Sequence, residues 1–482
     1  MKTNLTFNSE KIIRFIGSVM LVGALYTALV ENDSNYLLLV FLPLVLMDRT
    51  FLIPLLFTIP LVEGVFMTES GASNAETVAI AMVAPVIAYD LLRKNKVNIP
   101  TKILALFVIF IIMEIVGFIV YKRHPYISKT VAMWVNLPGM PVTGKTIARV
   151  LKLIFFIVYL KLLINYGKEY IYKALTLYRS LAAYIILAIV IYTLKYGVVA
   201  ANFGGIIHFG AASHGDFTAS LDAIAVFLFI AIFERRKNYF EKILSLVTLG
   251  LLFYLIMNMG SRNGLVSFIF VTGISVILVL ANRSGSLIFL MILAGVVAVS
   301  IAVVLFADSP TVNRFTYQME EENGGERIGY WTAGLRSITE KPLLGMGGDE
   351  TSSIYVVSRY SPYVEAHVMH NTFLEVAVEY GLLGLLFYLI FVFTILRWGY
   401  KSFIYSIKTN DIILATPAVA YTVSIFAGMF ISRVWETPLW YYLCLIFAIG
   451  ILWVFPQTKL SFQRKRKEAL PPAMEPAYAY AD

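Results

Sequence analysis

Ionisable side chains that could share one reaction gather where a polar stretch of the chain runs into an apolar one. His370-Asn371-Thr372-Phe373-Leu374-Glu375-Val376-Ala377-Val378-Glu379-Tyr380-Gly381 places an imidazole and two carboxylates at such a border. On a helix Asn371, Glu375 and Glu379 fall on one stripe at four-residue spacing. Imidazole titrates near neutral pH, which suits a general base, and Glu375 or Glu379 close to His370 would orient the ring and raise its basicity. Arg262 lies in Gly260-Ser261-Arg262-Asn263-Gly264, a tight polar break between two apolar stretches. Its planar fork of donors fits a phosphate in bidentate fashion, while the plainer reading is an arginine snorkelling to a membrane interface. Arg327 and Arg336 stand on a predicted surface helix over 326–338, in which Ile328, Trp331, Leu335 and Ile338 repeat at helical spacing. That face would rest on the membrane surface or on neighbouring helices. Arg327 precedes it and could reach the same pocket as Arg262, whereas Arg336 reads as a solvated neighbour.

The elements that must position these groups are set by composition. The 482 residues are 59% hydrophobic and only 14% charged, against about 45–50% and about 25% in soluble domains. Apolar runs recur near 12–30, 36–48, 51–66, 76–92, 103–121, 146–164, 181–199, 218–233, 243–259, 264–281, 286–306, 378–396, 412–430 and 438–455. A span needs about 20 apolar residues, so the expected class is an all-α polytopic membrane protein with about 12–14 transmembrane helices and one large outer loop containing short helices. Lys11 and Arg14 precede a run with no small-residue cleavage site, which reads as a retained first helix. The net charge of +9 does not point to nucleic acid, because the basic residues sit in short links between apolar runs. Arg93, Lys94 and Lys96, then Lys168, Lys173 and Arg179, then Arg235 to Lys237, then Arg397, Lys401 and Lys408 share one side with the basic tail Arg464 to Lys467. That side reads as cytoplasmic, with both termini on it, and 307–377 faces outward. The expected organisation is 1–306 transmembrane, 307–377 outer loop, 378–455 transmembrane, and 456–482 a basic, disordered cytoplasmic tail lying against the lipid bilayer.

Under this topology His124, His208, His214, His367 and His370 all fall in outward links. Either this one-sidedness reflects function or histidine simply avoids lipid. His367 and His370 have i, i+3 spacing with Glu365 nearby, but the i, i+4 zinc helix signature is missing and no cysteine lies in the loop, so no metal is expected. The lone Cys444 permits no intrachain disulfide. Lys341-Pro342 should end the surface helix. In Leu343-Leu344-Gly345-Met346-Gly347-Gly348-Asp349 the glycines suggest positive φ or close approach to a ligand, without the Lys-Ser/Thr of a P-loop. His214 and Asp216 lead into a helix that carries Asp222 about one turn inside, where a carboxylate needs a partner such as a cap or a neighbouring hydroxyl. Gly381 and Gly384 would let another helix approach closely.

Taken in order, Ser261-Arg262-Asn263-Gly264, Arg327 with Trp331, Lys341-Pro342-Leu343-Leu344-Gly345-Met346-Gly347 and His370 through Gly384 resemble the bacterial O-antigen ligase and O-antigen polymerase family. The likeness covers roughly residues 200–400. It implies an all-helical bundle in the bacterial inner (cytoplasmic) membrane with a large periplasmic loop, and an active site facing the periplasm. It implies transfer of a glycan, with inversion, from an undecaprenyl-diphosphate carrier to the lipid A core or to a carrier-linked acceptor, in surface polysaccharide (O-antigen or exopolysaccharide) assembly. Neither metal nor other cofactor is implied, and a chain-length regulator protein is an admissible partner. By motif, Arg262 and Arg327 would hold the diphosphate and His370 would be the base on the acceptor hydroxyl. His214, Asp216, Asp222, Arg336 and His367 are the candidates for the acceptor side or for supporting the site. The chain departs from the family pattern at His214-Gly215-Asp216-Phe217, which lacks the usual Asp/His-Pro-Asn. A second reading remains: a polysaccharide or lipid transporter or flippase with Asp222, Lys195 and Glu114 as an in-membrane pathway. A third is a membrane glycosyltransferase that uses Asp349 or Glu365 as its base.

Overall fold

A chain inside lipid must satisfy its backbone internally, and here it does so as helices. The computed structural model describes residues 9–31, 35–58, 61, 84–92, 98–123, 142–196, 214–233, 239–258, 262–280, 309, 312, 325–348, 350–364, 368–429 and 437–456, and no strand occurs among them. In chain order the helices are α1 (Ser9–Glu31), α2 (Asn35–Met47), α3 (Leu52–Thr58), α4 (84–92), α5 (Thr101–Lys122), α6 (Val142–Tyr196) and α7 (His214–Phe233). They continue as α8 (Tyr239–Asn258), α9 (Arg262–Leu280), α10 (Gly325–Glu340), α11 (Glu350–Tyr360), α12 (Thr372–Thr409), α13 (Thr416–Ala427) and α14 (Thr437–Ile449). Within the described residues 5 helices are long and apolar enough to cross a membrane: α1, α5, α8, α9 and α12. Shorter apolar helices include parts of α7, α13 and α14. The protein is an all-α, multi-pass membrane protein.

Several boundaries differ from the sequence expectation for physical reasons. The spans expected at 146–164 and 181–199 belong to one helical run, interrupted only at Gly167, whose φ of 82° is open to glycine. The basic link between them is therefore helical. Ile171, Ala174, Leu175 and Tyr178 bury one face there, while Lys173 pairs with Glu169 at 2.9 Å on the other. Helix α12 begins at Thr372 instead of 378 and breaks at Gly381 (φ 71°). Helix α11 was not expected. Of the predicted face of α10, Trp331 and Ile338 pack against the cluster around Tyr330 and Met346, while Ile328 and Leu335 stay exposed. Small residues pack as well: a Cβ on Gly329 would stand 2.9 Å from Val364, and one on Gly334 would stand 2.9 Å from Leu374. The expected span 286–306 and the expected tail 457–482 lie outside the described residues.

Helix α6 is the hub of the bundle, in contact with α1, α3, α5, α7, α8 and α14. Helix α14 is apolar all round and is buried all round. Trp440 on it meets Phe156 at 5.5 Å, Phe110 at 5.6 Å and Phe391 at 5.6 Å between ring centroids, contacts worth about 0.5–1.5 kcal/mol each beyond burial. A second, smaller core lies between α10, α11 and the first turns of α12, around Tyr330, Ala333, Met346, Val356, Met369 and Val378. This core sits at one end of the bundle, called the loop end below.

Candidate functional site at the loop end of the bundle

The segment around His370 is held by its own chemistry. Asn371 is extended and its side chain accepts the Leu374 amide at 3.0 Å, an N-cap that starts α12. The Thr372 amide donates to the Gly428 carbonyl at 2.9 Å, which ties this start to the end of α13. His370, immediately before the cap, has φ of 49°. A non-glycine residue in the left-handed region is uncommon and persists only when its surroundings over-determine it. Met369 beside it is fully buried.

Nine residues into α12, Gly381 ends the first short helix and leaves backbone groups without helical partners. The Lys341–Gly347 loop supplies them. The Met346 amide donates to the Val378 carbonyl at 2.8 Å, the Gly347 amide to the Glu379 carbonyl at 3.0 Å, and the Leu382 amide to the Pro342 carbonyl at 2.7 Å. Gly345 and Gly347 have φ of 66° and 107°. A Cβ on Gly347 would lie 2.5 Å from the Tyr121 amide, and one on Gly345 would lie 2.5 Å from the Val378 carbonyl. The glycines thus serve close approach between segments of the chain. The same holds at Gly381, where a loop approaches in place of the expected helix.

Arg327 and Tyr330 are i, i+3 neighbours on α10, and the Tyr330 ring lies 5.8 Å from the His370 ring. The helix face that bears Arg327 therefore meets His370. Arg262 opens α9, and Phe270, two turns further along α9, stacks on Phe426 near the end of α13. Thr372 is tied to Gly428, two residues on from Phe426, so the middle of α9 stands near the start of α12. The side chain of Arg262 lies outside the described residues. So do the side chains of His214 and Asp216, whose backbone forms the first turn of α7, and the whole of His367, Asp349 and Glu365.

Glu375 is buried one turn below Asn371. Glu379, a further turn on, faces Arg149 of α6 at 4.0 Å. Arg149 also stands 3.8 Å from Glu114 of α5 and 3.4 Å from the Tyr380 hydroxyl, which donates to Glu114. Asp222 is buried and accepts the Ser424 hydroxyl at 3.3 Å. Arg336 is exposed and reaches the Tyr360 carbonyl at 3.4 Å. Tyr360 in turn donates to Glu340, closing α11 onto α10. Burial first, then that hydrogen bond, push the Tyr360 phenol above its ordinary range. Among the described residues no three His, Cys, Asp or Glu side chains are grouped to hold a metal ion.

Sequence reasoning missed Arg149 and Tyr330 and named Glu114 only for the transporter pathway. One signal was available: Arg149 and Glu114 are opposite charges inside neighbouring apolar runs, each needing a partner. Tyr330 carried none.

No curated protein matches this chain. A family model described as O-antigen ligase matches residues 246–389, from within α8 through α9, α10 and α11 into α12. That stretch holds Arg262, Arg327, His370, Glu375 and Glu379, and over it the chain is similar to the O-antigen ligase family.

Proposed function

We propose that this membrane protein transfers a glycan from an undecaprenyl-diphosphate carrier to an acceptor sugar at the periplasmic face of the bacterial inner membrane, both termini being cytoplasmic. The reading rests above all on the contact of Tyr330 with His370, which brings the Arg327 face of α10 to an imidazole held on left-handed backbone. In the reaction the acceptor hydroxyl attacks the anomeric carbon as its bond to the carrier diphosphate breaks. The electron pair leaves on a phosphate oxygen, and the product carries the inverted linkage. Arg262 and Arg327 stabilise the charge that develops on the diphosphate, an effect worth about 10²–10³ in rate per preorganised donor. His370 takes the acceptor proton, contributing about 10²–10⁴-fold. No step requires a metal. The acceptor is either the lipid A core or a second carrier-linked unit.

The transporter reading is less well supported. Two of its three pathway residues are committed to fixed packing, Glu114 with Arg149 and Tyr380, and Asp222 with Ser424.

Purified protein given a lipid-diphosphate glycan and an acceptor should form a new glycosidic bond. His370→Ala should abolish it without lowering expression, and Arg262→Lys should be nearly as damaging because the bidentate fork is lost. Normal surface polymer from His370→Ala in a deletion strain would refute the role. A gel of the deletion strain identifies the acceptor. A core bearing one repeat means polymerase, and a bare core with accumulated carrier-linked polymer means ligase.

A further inference from the structure

The cluster of Glu114, Arg149, Glu379 and Tyr380 lies two to three helical turns below the proposed site and is used by no step of the reaction. It joins two helices that are neighbours in sequence, α5 through Glu114 and α6 through Arg149, to the distant last turn of the short helix Thr372–Tyr380 through Glu379 and Tyr380. The side chains of Glu114 and Glu379 are only 2% and 4% exposed and that of Arg149 11%. Glu114 is the single carboxylate in the whole of α5. Buried charges of this kind seldom add stability over apolar packing, and they are best understood as devices for fixing geometry.

The surrounding fit supports that purpose. One turn along α5 from Glu114, a Cβ on Gly117 would stand 2.8 Å from the Tyr380 ring and 2.9 Å from the Gly348 amide. One turn further, Tyr121 receives Gly347. A single face of α5 is therefore shaped to seat both Tyr380 and the loop that caps the break at Gly381. Beyond this seat the short helix runs to its cap at Asn371 and to His370. Arg149 and Glu114 also lie outside the residues matched by the family model, 246–389, whereas Glu379 and Tyr380 lie within them.

We infer that Arg149, with Glu114, is a positioning residue: it anchors the far end of the short helix Thr372–Tyr380 to α5 and α6 and so sets where His370 stands. The inference rests on the role proposed for His370. The test uses the full chain in lipid nanodiscs, with hydrogen exchange of the 368–380 amides and glycan-transfer kinetics measured on the same samples. The triple variant Glu114→Gln, Arg149→Met, Glu379→Gln removes the tie without leaving a lone buried charge. In it, exchange over 368–380 should rise by about tenfold while α14 keeps its protection. Its kcat should fall by about 10²-fold with little change in the KM for the lipid-linked donor, since displacement of a reacting group costs rate more than binding. Arg149→Lys and Tyr380→Phe should show the same pattern to a smaller degree, and they decide the matter if the triple variant does not fold. Unaltered exchange over 368–380 in any folded Arg149 variant overturns the inference. Faster exchange with full activity supports the anchor and counts instead against His370 as the base.

Discussion

Two polar clusters of the same ingredients stand at opposite ends of the first segment of α6, the one that breaks at Gly167. At the end away from the loop, Arg49 meets Asp90 at 2.8 Å, Tyr166 donates to the same carboxylate, and Tyr170 donates to the Arg49 carbonyl at 2.9 Å. Nearby, Arg14 holds Asp48 at 3.1 Å, while Asp48 caps the Thr50 amide at 2.8 Å. At the loop end, Arg149 has its two carboxylates at 3.8 and 4.0 Å and the Tyr380 hydroxyl at 3.4 Å. Arg149 and Tyr166 share one helix and are about 25 Å apart at ~1.5 Å per residue, close to the thickness of a bilayer core. The first cluster is hydrogen-bonded at short range and partly open, with Arg14, which also meets Glu10 at 2.6 Å, 26% and Arg49 27% exposed. The second sets two carboxylates on one guanidinium and buries all of them. The first closes helix ends. The second reaches across the bundle to the segment that ends in His370.

If that division holds, substitutions at the two ends should part activity from stability. The largest effect is expected at His370: kcat of His370→Ala should fall by about 10²–10⁴-fold, far beyond the small loss of thermal stability that alanine at this φ and the lost Tyr330 contact bring. Gly347→Ala should damage both properties. Its φ of 107° and the Tyr121 backbone against it leave no room for a methyl group, and strain of this type costs about 1–3 kcal/mol before the clash is counted. A drop in unfolding temperature together with lost transfer would be the signature. At the other end, Asp90→Asn should lower stability by about 3 kcal/mol by leaving Arg49 without its carboxylate, yet the folded fraction should keep its full kcat. An Asp90→Asn protein that is stable but inactive would erase the distinction. The smallest effect belongs to Asn371→Ala, which removes an N-cap worth about 1 kcal/mol. Hydrogen exchange at Leu374 should report it first.

Legibility along the chain followed the kind of signal each residue carries. The stop at Lys341-Pro342 could be read because proline constrains the residue before it, and α10 ends at Glu340. Positive φ at Gly345 and Gly347 could be anticipated from residue type, but not what they approach, since Tyr121 lies more than two hundred residues away. Of the predicted face of α10, Trp331 and Ile338 do pack inward, but the part played by Gly329 and Gly334 was not foreseen. Close backbone approach rewards the absence of a side chain, which hydrophobicity cannot reveal. Helix α12 was expected to start at 378 because its first turn carries Thr372 and Glu375, polar residues that apolar counting rejects.

By itself the order of residues determined that this is a helical, membrane-spanning chain, since twenty-residue apolar runs leave lipid-bound backbone no other way to bond. It also determined where the chemistry-bearing groups lie along the chain, through local rules of spacing, capping and charge. Only the tertiary structure decided which of them meet. That Tyr330 lies on His370, that Arg149 joins Glu114 to Glu379, and that a glycine loop closes the break at Gly381 are contacts across large sequence separations. They depend on how whole helices pack against each other, and no local pattern of residues encodes that packing.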